Sequence, residues 1–352
     1  MNPIKIGIIG IGGIARGVHI RELSSIPEAM VTAICDINET ALKQVGEQLN
    51  IPEALRFTDY RELISSPEVD AVEICTPNYL HVPMAEAAIR AGKRVNIEKP
   101  LSTDLDHTAP LLNLSTDGNA VHMMCFSYRF KPAVRYAKHI LEKGLLGEVL
   151  NLEVSYLKNS AFMEGRRLEW RFVKEYAGTG VLGDLGVHLI DMARFLVGDI
   201  DSVCGNKSIV VKERKRLDSE EIAPVETDDT CSFLAHFTNG ATGVFHISRA
   251  AIGHLNTIKY EIYGTKGVIS FDLNNPDILY ICLGEIDTES FGMHPVTVPA
   301  KYRYGQEQCF IDAINGKKDV WFPDLSEGVA CQKILDAILE SSDKKSWISI
   351  HS

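Results

Sequence analysis

The sequence lacks three features that would each define a class of protein. Its eight cysteines include no C-x-x-C pair, so they do not have zinc-site spacing and indicate reduced thiols in a cytoplasmic protein. No apolar run reaches about 18 residues, the length that a membrane-spanning helix needs. Because the first strand-like run begins at Ile4, we expect no signal peptide.

Positive charge is also scarce. The chain carries 36 Lys and Arg residues against 47 Asp and Glu residues, and its net charge of −11 argues against nucleic acid or an anionic membrane as a partner. No internal repeat or low-complexity tract is present. The 352 residues, 45% of them hydrophobic, are enough for two globular domains of about 100 to 200 residues each.

The order of the predicted elements divides the chain in two. Strand-like and helix-like runs alternate from Ile4 to Phe126, which predicts a doubly wound parallel sheet. Beyond Pro132 the strand candidates follow one another on short turns such as Thr238–Gly240, which predicts an α+β domain with a mostly antiparallel sheet. We therefore predict a first domain over residues 1–124 and a second over 125–352.

A glycine-rich turn follows the first strand. Gly10, Gly12 and Ala15, with Gly13 and Ile14 between them, have the spacing G-x-G-x-x-G/A of a dinucleotide-binding turn. In such a turn the backbone approaches the pyrophosphate closely, and the phosphates lie at the N-terminus of the following helix. The pattern alone is weak, because similar glycines also form simple turns and occur in some methyltransferases.

Asp36 strengthens this interpretation. It closes the second strand-like run, 26 residues after Gly10, where a carboxylate can bind the adenosine ribose and repel a 2′-phosphate. No arginine follows it, so NAD is favoured over NADP as the cofactor. The alternative is that Asp36 is only a capping or turn residue at the end of a strand.

Two further loops lie at predicted strand ends, where doubly wound sheets bind their ligands. One contains Thr76, Pro77 and Asn78 and leads to His81, and the other is Glu98–Pro100. Lys99 in the second loop could stabilise a developing alkoxide. The alternative for Lys99 is an ordinary exposed charge at a strand end.

The second domain has one pattern typical of a general base. Asp184, His188 and Asp191 fall on one face of a predicted helix, at i, i+4 and i+7, after a glycine-rich approach. A carboxylate one turn from an imidazole can fix its tautomer and stabilise its protonated form. Two alternatives stay open, namely capping of a surface helix and ligation of a divalent metal.

Together these motifs resemble those of the glucose-fructose oxidoreductase and inositol dehydrogenase family, Gfo/Idh/MocA. The resemblance covers essentially the whole chain. The motifs that carry it are Gly10-x-Gly12-x-x-Ala15, Thr76-Pro77-Asn78-x-x-His81, Glu98-Lys99-Pro100, Tyr128-Arg129-Phe130-x-Pro132, Trp170-Arg171 and Gly180-x-x-x-Asp184-x-Gly186-x-His188-x-x-Asp191. It implies an N-terminal Rossmann domain, a C-terminal domain with an open, mostly antiparallel sheet, and assembly into a homodimer or homotetramer.

The resemblance also implies the roles of individual residues. Lys99, Asp184 and His188 would form the catalytic set. The cofactor would be held by Gly10, Gly12, Gly13, Ile14, Ala15, Asp36, Thr76, Pro77, Asn78, His81, Glu98 and Lys99. The substrate candidates are Tyr128, Arg129, Tyr156, Trp170, Arg171, Asp184 and His188, with structural packing as the alternative for several of them. No metal is expected.

The function that follows is reversible hydride transfer between nicotinamide and a secondary ring hydroxyl of a sugar, a glycoside or an inositol. The 3-position of a glucoside is one plausible target. The alternatives are an oxidoreductase that retains its cofactor and recycles it between two sugars, an NAD(P)H-dependent reductase and a non-catalytic NAD-binding sensor. A metal-dependent lyase or hydrolase that uses Asp184, His188 and Asp191 is a further alternative.

Overall fold

The computed structural model describes residues 2–112, 114, 121–290, 292–318 and 320–350. The chain forms two compact units. Unit 1 contains Met1–Phe126 and Gly305–Ala330, and unit 2 contains Ser127–Tyr304 and Cys331–Ser352. The segment Gly305–Ala330, which the sequence analysis places in the second domain, thus packs in unit 1. Its Glu307 is fully buried there and contacts His19, which fixes the returning segment to the first part of the chain.

Unit 1 is built on a six-stranded parallel sheet of order β3-β2-β1-β4-β5-β6. The strands are β1 (Ile4–Ile9), β2 (Ala29–Cys35), β3 (Arg56–Phe57), β4 (Ala71–Ile74), β5 (Arg94–Ile97) and β6 (His122–Met124). The central strands are buried on both faces, as their apolar sequences predict. The order reverses between β1 and β4, and ligands bind at such a switch point.

Unit 2 contains a nine-stranded sheet of order β16-β15-β14-β13-β7-β12-β11-β8-β17 and a separate β9–β10 pair. The strands are β7 (Val149–Leu157), β8 (Ile200–Ser208), β9 (Glu213–Lys215), β10 (Ile222–Pro224), β11 (Thr230–Phe237), β12 (Thr242–Ser248), β13 (Thr257–Gly264), β14 (Gly267–Asp272), β15 (Ile278–Leu283), β16 (His294–Thr297) and β17 (Ile348–Ser349). The described pairings are antiparallel except for β7 with β12, so the predicted fold class is confirmed for both units.

Helices connect these strands. They are α1 (Ile20–Leu23), α2 (Glu39–Gln48), α3 (Tyr60–Ser65), α4 (His81–Arg90), α5 (Ala109–Leu112), α6 (Pro132–Glu142), α7 (Lys174–Ala177), α8 (Val187–Leu196), α9 (Gly284–Ser290), α10 (Gln306–Ile314) and α11 (Leu325–Lys344). A π-helical turn precedes α1 at Ala15–His19, and another precedes α8 at Leu182–Gly186. Within the ranges described, none of the helices has both the length and the apolarity needed to cross a bilayer.

Helix α8 is fixed to the large sheet of unit 2 by polar and apolar contacts. The Tyr260 hydroxyl on β13 donates a hydrogen bond of 2.7 Å to the Leu189 carbonyl in the helix. A Cβ on Gly186 would lie 3.0 Å from the side chain of Leu182, so the π-helical turn is tightly packed. The helix that carries His188 therefore has a defined position on the sheet.

Candidate functional site

The glycine-rich turn of unit 1 has the geometry of an anion-binding loop. Gly10 adopts a φ of +85°, and a Cβ there would lie 2.8 Å from the Cys75 carbonyl oxygen, so only glycine fits without strain. Gly12 and Gly13 have no heavy atom within 4 Å of a Cβ position, which leaves space beside the backbone. Ala15 is fully buried where the helical segment begins. The loop thus fits a pyrophosphate at the start of a helix.

Asp36 lies directly after β2 and contacts this turn. Its Oδ2 accepts a hydrogen bond of 2.9 Å from the Ile11 amide, and its Oδ1 accepts one of 2.9 Å from the Asn38 amide. The side chain is half-buried, so its carboxylate has a fixed orientation and retains an accessible part. This arrangement fits the ribose of a dinucleotide bound at the glycine-rich turn.

His81 joins the other two loops predicted from the sequence. Its Nδ1 lies 2.7 Å from the Pro100 carbonyl oxygen, and its Nε2 lies 2.9 Å from that of Thr76. Burial lowers the pKa of His81, which favours the uncharged ring, and carbonyl contacts only partly offset this. The Lys99–Pro100 peptide bond is cis, and Asn78 is buried nearby in the chain. His81 therefore holds the loop of Thr76 beside the loop of Lys99.

Sequence reasoning missed a cluster of buried polar residues in unit 1, which we call the buried histidine cluster: His19, Glu73, Glu98 and Glu307. The Nε2 of His19 lies 3.1 Å from Glu98 Oε1, and its Nδ1 lies 2.9 Å from Glu307 Oε1 and 3.3 Å from Glu73 Oε2. His19, Glu73 and Glu307 are fully buried. The available signal was Glu73, a charged residue inside the apolar strand β4, because a buried charge requires a partner.

The charge states in this cluster follow from its contacts. Burial by itself lowers the pKa of His19, but the neighbouring Cys75 and Glu307 outweigh burial and raise that pKa well above its usual value. Burial raises the pKa of Cys75 to about 11, so we attribute the attraction to the carboxylates rather than to a thiolate. Burial also opposes ionisation of Glu98, but the hydrogen bond from His19 lowers the pKa of Glu98 overall.

In unit 2, Asp228 holds the segment that leads to Asp184. Its Oδ1 accepts hydrogen bonds from the Thr179 hydroxyl at 2.6 Å and the Gly180 amide at 2.7 Å, and its Oδ2 accepts one from the Leu182 amide at 2.8 Å. A Cβ on Gly180 would lie 2.0 Å from the Asp228 carbonyl oxygen. The glycine is required by this close approach, and sequence reasoning identified the glycines without their partner.

The predicted base contacts a hydrogen-bonded series of two phenol hydroxyls and one side-chain amide, which we call the hydroxyl chain: Tyr128, Tyr156 and Asn256. The rings of His188 and Tyr128 meet edge to face with their centroids 4.5 Å apart. The hydroxyls of Tyr128 and Tyr156 lie 2.9 Å apart, and Tyr156 donates to Asn256 Oδ1 at 2.9 Å. Burial and the neighbouring Tyr128 raise the pKa of Tyr156, so the Tyr156 phenol is neutral. Asn256 was not predicted.

The other candidate residues of unit 2 make contacts outside the hydroxyl chain. Arg129 is 2% exposed and donates from Nε to Asp191 Oδ2 at 2.8 Å, which favours the packing alternative for Arg129. Asp191, which the metal-binding alternative needs as its third ligand, is engaged in this ion pair with Arg129. Arg171 stacks on the Trp170 ring at 4.4 Å, and both side chains are half-exposed.

The structure thus brings Asp184, His188, Tyr128 and Tyr156 into one unit and the glycine-rich turn, Asp36, Glu98 and Lys99 into the other. Each unit carries a different part of the predicted chemistry. Unit 1 offers a nucleotide loop and a cation, and unit 2 offers an imidazole, a carboxylate and neutral hydroxyl groups.

Comparisons with known proteins agree with this division. Residues 4–125 match an oxidoreductase family with an NAD-binding Rossmann fold, and residues 134–270 match the GFO/IDH/MocA C-terminal domain. Levoglucosan dehydrogenase from Pseudarthrobacter phenanthrenivorans is 31% identical over an alignment of 386 positions, gaps included, that covers 99% of each protein. Myo-inositol 2-dehydrogenase from Thermotoga maritima is 30% identical over 270 residues, which cover 76% of this chain and 75% of that protein.

The solved structures give the same result. The structure of levoglucosan dehydrogenase in complex with NADH and levoglucosan is similar over 100% of both chains, with a TM-score of 0.92 and 30% sequence identity. The predicted family, the NAD cofactor and the oxidoreductase class are confirmed. The chain belongs to the GFO/IDH/MocA family of NAD-binding oxidoreductases.

Proposed function

We propose that this protein is an NAD-dependent dehydrogenase that transfers hydride between nicotinamide and a secondary ring hydroxyl of a sugar, a glycoside or an inositol. The observation that carries the substrate class is the contact of His188 with the hydroxyl chain. Neutral donors and acceptors beside a general base suit an uncharged polyhydroxylated ring, since each ring hydroxyl needs a hydrogen-bond partner when it leaves water. Two relatives, a levoglucosan dehydrogenase and a myo-inositol 2-dehydrogenase, support the same class of substrate.

The residues of unit 2 supply the proton chemistry of the proposed reaction. His188 accepts the proton of the reacting hydroxyl at a ring nitrogen, and Asp184, one turn earlier, orients the imidazole or the substrate. Tyr128 and Tyr156 contact the other hydroxyl groups of the ring. A glycoside oxidised at its 3-position is one member of this substrate class.

The residues of unit 1 supply the cofactor site and a positive charge. The glycine-rich turn holds the pyrophosphate, Asp36 holds the adenosine ribose and disfavours a 2′-phosphate, and Thr76 to His81 line the nicotinamide side. NAD, when bound, supplies the hydride acceptor. Lys99 stabilises the negative charge that develops on the substrate oxygen as its proton is removed.

A spectroscopic screen tests this proposal. The purified protein is mixed with NAD, and separately with NADP, and offered inositols, pyranoses and simple glycosides while absorbance at the reduced-nicotinamide band is followed. We expect reduction of NAD with one group of cyclic polyols. Absence of reduction across the panel, with NAD binding confirmed by calorimetry, would contradict the proposed activity.

We also propose that the protein is cytoplasmic and forms a homodimer or homotetramer. The eight cysteines are all free, which suits a reducing compartment. The large sheet of unit 2 exposes the cross-strand apolar pair Leu234 and Val244. Light scattering coupled to size-exclusion chromatography measures the oligomer, and a monomer at micromolar concentration would contradict it.

A further inference from the structure

The buried histidine cluster holds more acidic groups than its one imidazole can balance. Glu73, Glu98 and Glu307 all approach His19, and both oxygens of Glu73 are buried without a hydrogen-bond partner among the described residues. Taking carboxylates out of water is costly unless a cation or a proton compensates them. The cluster therefore requires compensation by a cation, whether protons or a metal ion.

We propose that His19 is a positioning residue that remains an imidazolium during turnover, holds the Glu98 carboxylate and through it the Lys99 loop, while Glu73 remains protonated. This inference rests on the proposed function only for the role of Lys99. The charge states themselves are independent of any substrate.

The geometry of His19 supports the imidazolium. A neutral imidazole carries one N–H and one lone pair, and an ionised carboxylate only accepts hydrogen bonds. Because Glu98 faces Nε2 and Glu307 faces Nδ1, a neutral ring would direct a lone pair at one of two carboxylates. A ring protonated at both nitrogens donates to both.

The surroundings of Glu73 support its proton. Burial and the charge of Glu307 raise the pKa of Glu73 well above its usual value, and His19 offsets this only in part. Glu307 also accepts hydrogen bonds from Asn96 Nδ2 at 3.5 Å and Gln306 Nε2 at 3.1 Å, so it has the donors that Glu73 lacks. Glu73 is therefore the carboxyl group that carries the proton.

The remaining titratable groups that act on the cluster do not change this balance. They are the buried thiols Cys75 and Cys125, whose pKa values are raised by burial, and Lys99 and His81, whose effects fall on Glu98. Both thiols are thus neutral. The positive charge of Lys99 lowers the pKa of its neighbour Glu98 and so favours the Glu98 carboxylate.

The connection to the proposed chemistry runs through Glu98. Its Oε1 faces His19, and its Oε2 accepts a hydrogen bond of 3.2 Å from the backbone amide of Lys99. Glu307, His19, Glu98 and the Lys99 amide thus form one continuous series of contacts. Loss of the charge on His19 would release Glu98, and with it the backbone that places Lys99.

A bound metal is the competing explanation. His19, Glu73 and Cys125 each offer one ligand-type atom, and these atoms lie within 4.8 Å of one another. However, both His19 nitrogens face carboxylates, and Cys125 Sγ donates to Asn96 Oδ1 at 3.2 Å. A metal ligand needs a nitrogen lone pair, which this arrangement does not leave.

Nitrogen-15 NMR of histidine-labelled protein tests the charge state without a substrate. We expect one ring signal, absent in His19→Gln, that still shows two protonated nitrogens at pH 7, above the ordinary histidine pKa of about 6.5. The His81→Gln variant identifies the signal of the second buried histidine, so that it is not mistaken for the signal of His19. A neutral His19 at pH 7, or stoichiometric zinc by elemental analysis with a metal-shifted nitrogen, would overturn the inference.

Kinetics test the positioning role on the same samples. We expect His19→Gln to lower kcat by about tenfold and to leave the KM for the sugar nearly unchanged, since small displacements of a catalytic group mainly affect turnover. An unchanged kcat in a folded His19→Gln protein would refute the positioning role. A wild-type protein that reduces no NAD would instead refute the proposed function and leave the NMR result intact. If His19→Gln does not fold, Glu307→Gln serves as the second variant, with the same expected loss of kcat.

Discussion

The two units surround their site histidines with different partners. Unit 1 buries ionised groups, with His19 between Glu98 and Glu307. In unit 2 the His188 ring meets the ring of Tyr128, and the buried ion pairs Arg129–Asp191 and Arg249–Asp229 are separate contacts. The difference teaches that partners can override burial, because burial alone favours a neutral ring and the pKa of His19 is nevertheless raised.

The same contrast exists within unit 1. His19 and His81 are both buried and both use two ring nitrogens, but His81 faces carbonyl oxygens and His19 faces carboxylates. The pKa of His81 is lowered and that of His19 is raised. Carboxylate acceptors thus favour the imidazolium more strongly than carbonyl acceptors do.

Removal of the proposed reacting groups is the strongest test of this contrast. We expect Lys99→Ala and His188→Ala each to lower turnover by about 10²- to 10⁴-fold, because one loses the stabilising cation and the other the base. Calorimetry should show that both variants still bind NAD. The matched control is His246→Ala on the exposed face of β12, which should retain wild-type turnover. Wild-type turnover in either test variant would remove that residue from the mechanism.

The preference for NAD over NADP tests unit 1. We expect Asp36→Ala to reduce the preference for NAD over NADP by about tenfold or more, since a like charge beside a phosphate costs several kcal/mol. The ratio of kcat/KM for the two cofactors measures it. An unaltered ratio would show that Asp36 contributes only the hydrogen bond to the Ile11 amide.

Unit 2 is tested by removing one hydroxyl group from the hydroxyl chain. Tyr156→Phe keeps the ring but breaks the hydroxyl chain between Tyr128 and Asn256. We expect the KM for the sugar to rise by about three- to tenfold, in line with the loss of one net hydrogen bond. The KM for NAD should not change, and equal changes in both constants would indicate a general structural effect.

The pH dependence of stability is the smallest effect. Because the folded pKa of His19 is raised, its stabilisation is complete below about pH 6.5 and is lost as the pH rises through the folded value. Glu73, also raised, holds a proton that the unfolded chain releases above about pH 4.3. The free energy of unfolding therefore falls as the pH rises above about 4.3 because of Glu73, and above about 6.5 because of His19, in each case until the folded pKa is passed.

Denaturant titrations at several pH values measure this slope. Glu73→Gln imitates the protonated side chain, so we expect a shallower decline than in the wild type. The exposed Glu164 provides a control, and Glu164→Gln should leave the slope unchanged. A steeper decline in Glu73→Gln would contradict the assigned proton.

Local patterns predicted much of this molecule. The apolar run before Gly10 and the carboxylate at Asp36 indicated a nucleotide-binding sheet, because strand burial and turn conformation depend on neighbouring residues. Asp184 and His188 were recognisable because helical spacing relates them. The partners Glu307 and Asp228 were not, since His19 and Glu307 lie 288 positions apart and no local period connects them. Arg129 was ambiguous for the same reason, because its partner Asp191 is distant in sequence.

The position of Glu307 late in the chain determines when unit 1 can be completed during synthesis. Unit 1 is interrupted by the whole of Ser127–Tyr304, and its last segment emerges from the ribosome only after that insertion. Chains usually fold domain by domain from the N-terminus. Here the nascent first unit must wait for α10 before His19 meets its second carboxylate. A fragment of residues 1–126 would lack that partner permanently, so we expect truncation there to destabilise the nucleotide-binding unit.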